Sequence, residues 1–178
     1  AESRVFERAI SPGMWTPPSH ASMFTGLPPS QHGVHANYKW LDDQHVTLAE
    51  WLTDHGYSSY AWSANPYLSP DTNLLQGFET FEATFSGTWK RAARTATQSK
   101  LIAADASSDI SPMWKPQPGQ QAGGNAHSYK DGGVVGVQAF MKWVKDDREQ
   151  DRPFFAYVNL MEAHIPRIPS MASRQALL

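Results

Sequence analysis

The stretch Met14-Trp15-Thr16-Pro17-Pro18-Ser19-His20-Ala21-Ser22-Met23-Phe24-Thr25-Gly26 decides how the rest of the chain is read. Proline lacks an amide hydrogen and has a fixed φ, so Pro17 and Pro18 suit the opening of a helix and not its interior. Ser19 to Thr25 then reads as a short helix, and Gly26 as its C-terminal stop. This places Thr16 at or just before a helix N-terminus, where unpaired amides and the positive end of the helix dipole favour an anion. A phosphate or sulfate group held there lies beside a potential nucleophile. The same spacing also fits an ordinary threonine N-cap with Ser19 in the first turn.

Upstream, Val5 to Ile10 alternates weakly and reads as a short strand, and Ser11-Pro12-Gly13 as a turn. Strand, loop and helix in that order set Thr16 beyond a strand end, where open α/β sheets bind ligands. Downstream, Leu27 to Trp40 reads as a polar loop carrying His32 and His35. His32 reads as a histidine that fixes the loop by hydrogen bonds, while His35 and His45 make only a weak case for metal. Thr47 to His55 reads as a helix, with Thr47 and Glu50 spaced as a capping box and Gly56 beyond its end. Leu48, Trp51 and Leu52 share one face, expected to be core. Tyr57 to Ser63 follows as a strand, and helix, glycine, strand is the rhythm of a parallel sheet. Asn65, leaving that strand, either reaches a bound anion or forms a turn before Pro66.

Further on, Thr88 to Ala106 is helix-compatible, with a basic face read as solvated. Residues 107–130 are rich in Pro, Gly, Gln and Ser and read as a flexible insertion in a single domain spanning 1–178. Gly132 to Arg148 reads as the strongest helix, with Val134, Val137, Phe140, Met141 and Val144 as its apolar stripe. Phe154 to Leu160 is a nearly continuous apolar run, which suits a central strand buried on both faces. It delivers Glu162 and His164.

Two of these segments resemble the sulfatase family of the alkaline phosphatase superfamily. The first is Thr16 to Gly26 together with Pro28-Pro29-Ser30-Gln31-His32-Gly33. It is similar to a pattern of Cys or Ser, any residue, Pro-Ser-Arg, three residues and hydrophobic-Thr-Gly, followed by a Pro-x-x-His-Gly turn. The second is Glu162 and His164-Ile165-Pro166-Arg167-Ile168-Pro169, which resembles an acid, one residue and His-x-Pro-x-x-Pro after a hydrophobic strand. Gly77-Phe78-Glu79-Thr80-Phe81 also resembles a family segment near the active site. The sequence departs from the pattern at two places: Thr16 stands where the family has Cys or Ser, and His20 where it has Arg. A lysine motif common in the region of Asn65 is absent.

The resemblance implies a three-layer α/β/α sandwich with a mostly parallel central sheet, alkaline-phosphatase-like and incomplete. It implies a metal-dependent hydrolase of sulfate or phosphate esters acting on a small anionic ester. Thr16 and His164 are then the catalytic residues, Ser19, His20 and Asn65 bind substrate, and Thr16 is also a metal ligand. The divalent metal is calcium if the protein is sulfatase-like, and zinc or manganese if it is phosphoesterase-like. Sulfatases oxidise Cys or Ser to formylglycine, an aldehyde. Threonine is a secondary alcohol that yields only a ketone, so no formylglycine is expected, and direct attack by Thr16 is the route left. The family's other metal ligands lie in regions not found in this chain. The sequence begins with Ala1 and stops without a closing element, and is expected to be a fragment that is itself inactive. The alternative reading is a non-catalytic relative that keeps the fold for binding.

Bulk properties narrow the field. The chain has 178 residues, 40% of them hydrophobic, enough for one core. A net charge of −2 and the lack of a basic, aromatic patch speak against a nucleic-acid reader. With Cys 0, disulfides and thiol catalysis are excluded. No stretch approaches the apolar length of a membrane span, and nothing in the sequence fixes an oligomeric state.

Overall fold

The structure, a computed structural model, describes residues 5–87, 89–93, 95 and 132–161. Its elements are α1 (Thr16–Thr25), α2 (Pro29–His32), α3 (Leu48–Asp54), β1 (Ser58–Ser63), β2 (Thr80–Ala83), α4 (Gly132–Lys142) and β3 (Phe154–Asn159). The strands form a parallel sheet in the order β2-β1-β3. Tyr60 pairs with Thr80 on one side of β1 and with Ala156 on the other. The insertion expected at 107–130, together with Glu162 and His164, lies outside the described residues.

Side chains alternate across a strand, so β1 supplies both faces of the sheet. Ala61 faces a cluster of Ala21 and Phe24 from α1, Val34, Leu41, Leu68, Leu74 and Leu75, onto which Phe78, Phe81 and Tyr157 pack. Tyr60 and Trp62 face the other way, against Ala93, Val135, Ala139 and Trp143. The helices therefore lie on both sides of a parallel sheet, in the three layers expected.

Several local expectations hold for the physical reasons given. Gly26 ends α1 in the left-handed conformation, at φ 73°, and its N–H donates to Ser22 C=O. Thr47 and Glu50 form a reciprocal capping box: Glu50 N–H donates to Thr47 Oγ1 over 3.2 Å, and Thr47 N–H to Glu50 Oε2 over 2.7 Å. His32 fixes its loop. Val34 N–H donates to His32 Nδ1 at 3.1 Å, and His32 Nε2 lies 2.9 Å from Ser22 Oγ.

Other expectations are corrected. Val5 to Ile10 forms no strand, and Val5, Phe6 and Ile10 are exposed; weak alternation finds no partner strand among the described residues. The polar loop from Leu27 to Trp40 contains α2, opened by Pro28 and Pro29. On α3 the buried residue is Ala49, while Leu48 and Trp51 are exposed. This short helix approaches β1 through its small side chains, and the Thr53 hydroxyl meets Ser59 Oγ at 3.0 Å.

On α4 the core face is turned from the expected stripe. Val135, Ala139 and Trp143 are buried, Phe140 and Val144 of the expected stripe pack against them, and Val134, Val137 and Met141 are exposed. Gly136 explains the rotation: a Cβ there would come within 2.5 Å of Trp62 Nε1, so the helix lies directly on that ring. The helix also continues as a π-helical turn over Trp143–Asp147.

Among the described residues the central strand is β1, not the apolar run of Phe154 to Leu160. Among the described residues β3 lies at an edge, and β1, with three serines, is buried at all six positions. Two of those serines bond to backbone groups. Ser63 Oγ donates to Asn65 C=O at 2.8 Å. Ser59 Oγ donates to Gly77 C=O at 3.1 Å and accepts from Glu79 N–H at 2.9 Å.

Candidate active site

Thr16 is the first residue of α1, not a residue before it; Trp15 is the N-cap and makes no side-chain cap bond. The expected wealth of free amides is reduced by the same two prolines that open the helix. Pro17 and Pro18 have no N–H, and Ser19 N–H is drawn to Trp15 C=O at 3.3 Å. The Thr16 side chain is half-buried.

Asn65 comes to Thr16 from the C-terminal end of β1. Its Nδ2 donates to Thr16 Oγ1 over 3.0 Å. The same residue is the turn-former the sequence suggested. Tyr67 N–H donates to Asn65 Oδ1 at 3.0 Å, and Asn65 N–H donates to Ser63 Oγ at 3.0 Å. Asn65 is 6% exposed, and the Tyr67 N–H on its Oδ1 orients the amide independently of Thr16.

Ser19 and His20 face the protein. Ser19 Oγ donates to Gly13 C=O at 2.7 Å, closing the loop before Thr16. His20 Nδ1 lies 2.8 Å from Thr16 C=O, and its Nε2 lies 2.7 Å from the Tyr157 hydroxyl on β3. Burial lowers the His20 pKa from its ordinary value, partly offset by the Thr16 carbonyl bond. Burial likewise raises the Tyr157 hydroxyl. Asn159 Nδ2 donates to Tyr157 Oη at a long 3.4 Å, and Asn159 Oδ1 is buried without a partner.

The sequence reading missed several neighbours of this site. Trp15 and Tyr67 meet edge to face at 5.5 Å, and Lys39 Nζ lies over both rings, at 5.7 and 5.2 Å from their centroids. Tyr157 and Asn159 were read only as part of an apolar run. Their spacing was the available signal, because alternate residues of one strand share a face, and both are polar at the strand's C-terminal end.

The described residues do not make a metal site. No group of three or more His, Asp or Glu side chains among them is placed to hold an ion. Thr16 and Asn65 offer neutral donors, whereas calcium requires several oxygens and zinc requires imidazole or carboxylate partners. Among the described residues, no helix is long and apolar enough to cross a membrane.

The family model described as Sulfatase matches residues 1–175, and the chain belongs to the sulfatase family. Among solved structures it is similar to the phosphonate monoester hydrolase of Agrobacterium radiobacter, with a TM-score of 0.54 and 19% identity. That match covers 92% of this chain and 35% of the other, so the chain spans about a third of its neighbour's length. At this identity the likeness is one of fold, and it agrees with the alkaline-phosphatase-like architecture. No curated protein matches the chain.

Proposed function

We propose that this chain carries the nucleophile and part of the anion pocket of a sulfatase-like hydrolase of sulfate or phosphate esters, with Thr16 as the nucleophile. The observation that carries the reading is the Asn65 Nδ2 to Thr16 Oγ1 bond of 3.0 Å, made where a helix start meets the end of a parallel strand. A hydrogen bond donated to the threonine oxygen favours its deprotonated form, the form that attacks. Attack forms a bond from Oγ1 to phosphorus or sulfur, and the ester bond breaks toward the leaving alcohol. Water then displaces the threonine and regenerates the hydroxyl.

The secondary alcohol favours phosphate over sulfate, since it cannot become the aldehyde that sulfate chemistry uses in the family. The neighbour's name adds phosphonate monoesters to the substrates worth testing. The family resemblance brings Ser19, His20 and Asn65 as substrate-binding residues and His164 as the residue that would contact the leaving group; of these, Ser19 and His20 bond to protein partners in this fold. Calcium, zinc or manganese are the ions the family resemblance brings, with ligands beyond those described. The 178-residue chain alone is expected to be inactive.

The test is hydrolysis of aryl sulfate, aryl phosphate and aryl phosphonate esters by the full-length protein, with Thr16→Ala and Thr16→Ser beside the native form. Thr16→Ala is expected to abolish turnover and Thr16→Ser to keep it. Turnover that survives Thr16→Ala overturns the assignment. Binding of the anions without any turnover favours the non-catalytic relative instead.

A further inference from the structure

Resting on the reading of Thr16 as nucleophile, we propose that Tyr157 is a positioning residue that fixes Thr16 through His20, so that Thr16 is tied at once to the ends of β1 and β3. Thr16 C=O can only accept, so the hydrogen on the His20 ring sits on Nδ1, 2.8 Å away. A ring protonated there and otherwise neutral presents Nε2 as an acceptor, and the Tyr157 hydroxyl, 2.7 Å away, donates to it. The Tyr157 oxygen in turn faces Asn159 Nδ2. The bonds run one way, from β3 through His20 to the backbone of Thr16.

Packing holds the ring in that register. His20 meets Tyr157 and Phe24 edge to face at 6.0 and 6.1 Å, and Phe24 meets Tyr157 at 5.0 Å. To swing toward an anion, His20 would give up both hydrogen bonds and leave Tyr157 without its acceptor. Position 20 therefore acts on the site by placement and not by charge. Its effect on Thr16 complements that of Asn65: one strand end fixes the carbonyl, the other the hydroxyl. His55 is a natural comparison. Its Nδ1 makes the same local bond, to Trp51 C=O at 2.6 Å, but on the exposed surface.

The experiment reads ring-nitrogen and methyl signals by NMR in this chain, then rates in the full-length hydrolase. His20 is expected to carry its hydrogen on Nδ1. Tyr157→Phe is expected to move the His20 Nε2 and Thr16 methyl signals while leaving His55 unchanged. In the active protein Tyr157→Phe is expected to lower kcat about 10-fold with KM within about two-fold, the mark of a misplaced nucleophile. His20→Asn, which keeps a donor for the Thr16 carbonyl, is expected to retain more activity than His20→Ala. It reads the same link in the Thr16 methyl signal if Tyr157→Phe fails to fold. A hydrogen on Nε2, or a Thr16 methyl signal indifferent to Tyr157→Phe, overturns the proposal. A native protein without turnover would defeat the hydrolase reading, while the NMR signals would still decide the tie between Tyr157 and Thr16.

Discussion

Asn65 and Thr16 stand 49 positions apart in sequence, and the Asn65 side chain donates to the Thr16 oxygen over 3.0 Å. The orientation of that amide is set independently by Tyr67 N–H on Asn65 Oδ1. Asn65→Asp therefore keeps the turn but replaces the donor facing Thr16 with an acceptor. It is expected to reduce turnover strongly and, because position 65 is 6% exposed, to lower thermal stability by burying a carboxylate. Asn65→Ala loses both bonds and is expected to cost about 1–3 kcal/mol in denaturant unfolding as well. Equal activity in Asn65→Asp and native protein would separate the amide from the chemistry.

His32 predicts how stability depends on acid. Its Nδ1 accepts from Val34 N–H and so cannot bear a proton in the folded state without losing that bond. Burial first, and then the nearby His45 charge, hold its pKa below the free-imidazole value of 6.5. The unfolded chain thus takes up the proton more readily. The stability from this group is full above that value and is lost as pH falls through it toward the folded pKa. Unfolding free energy measured from about pH 8 down to about pH 5 is expected to fall across the acid side. His32→Gln should flatten that fall while lowering stability at the neutral end.

Two glycines with positive φ should respond differently to alanine. Gly33, at φ 74°, has open space where a Cβ would go. Gly33→Ala is expected to cost about 1–2 kcal/mol, the price of the backbone conformation alone. Gly77, at φ 84°, would place a Cβ within contact-forbidden range of the Glu50 backbone, at the capping box of α3. Gly77→Ala is expected to cost about 3 kcal/mol or more, or to prevent folding. Comparable melting temperatures for the two variants would contradict the packing of residue 77 on α3.

Metal affinity gives a further check. Calorimetry of the 178-residue chain with calcium, zinc and manganese is expected to show weak binding or none, since Thr16 brings one neutral oxygen and the described residues bring no carboxylate cluster. Tight binding would point to ligands within this chain.

What the sequence made legible was the chemistry that acts locally. Proline at the opening of α1, glycine at its close and the Thr47–Glu50 cap act within one turn, and each is where its local physics puts it. What it concealed was the choice between two apolar faces. Around α4, Val134, Val137 and Met141 outweigh Val135 and Ala139 in hydrophobicity, but Gly136 and Ala139 let the helix approach Trp62 and Tyr60. Close approach depends on small side chains, which a count of apolar residues ignores. The serines of β1 hid the central strand for a related reason: the hydroxyls of Ser59 and Ser63 find backbone partners, at Gly77 and Asn65, that a hydrophobic pattern does not register. At the site, Thr16 and Asn65 were legible as separate candidates, whereas the links through Tyr157 and Lys39 depend on long-range placement.

The prolines after Thr16 have one more consequence. Main-chain amides are the same in every variant of a protein, and a cradle made of them resists change. Here two such groups are missing, and under the proposed reading side chains such as that of Asn65, which donates to Thr16 Oγ1, would have to take their place. Recognition built from side chains can be retuned one codon at a time, so the choice among tetrahedral anions becomes a property that mutation reaches directly.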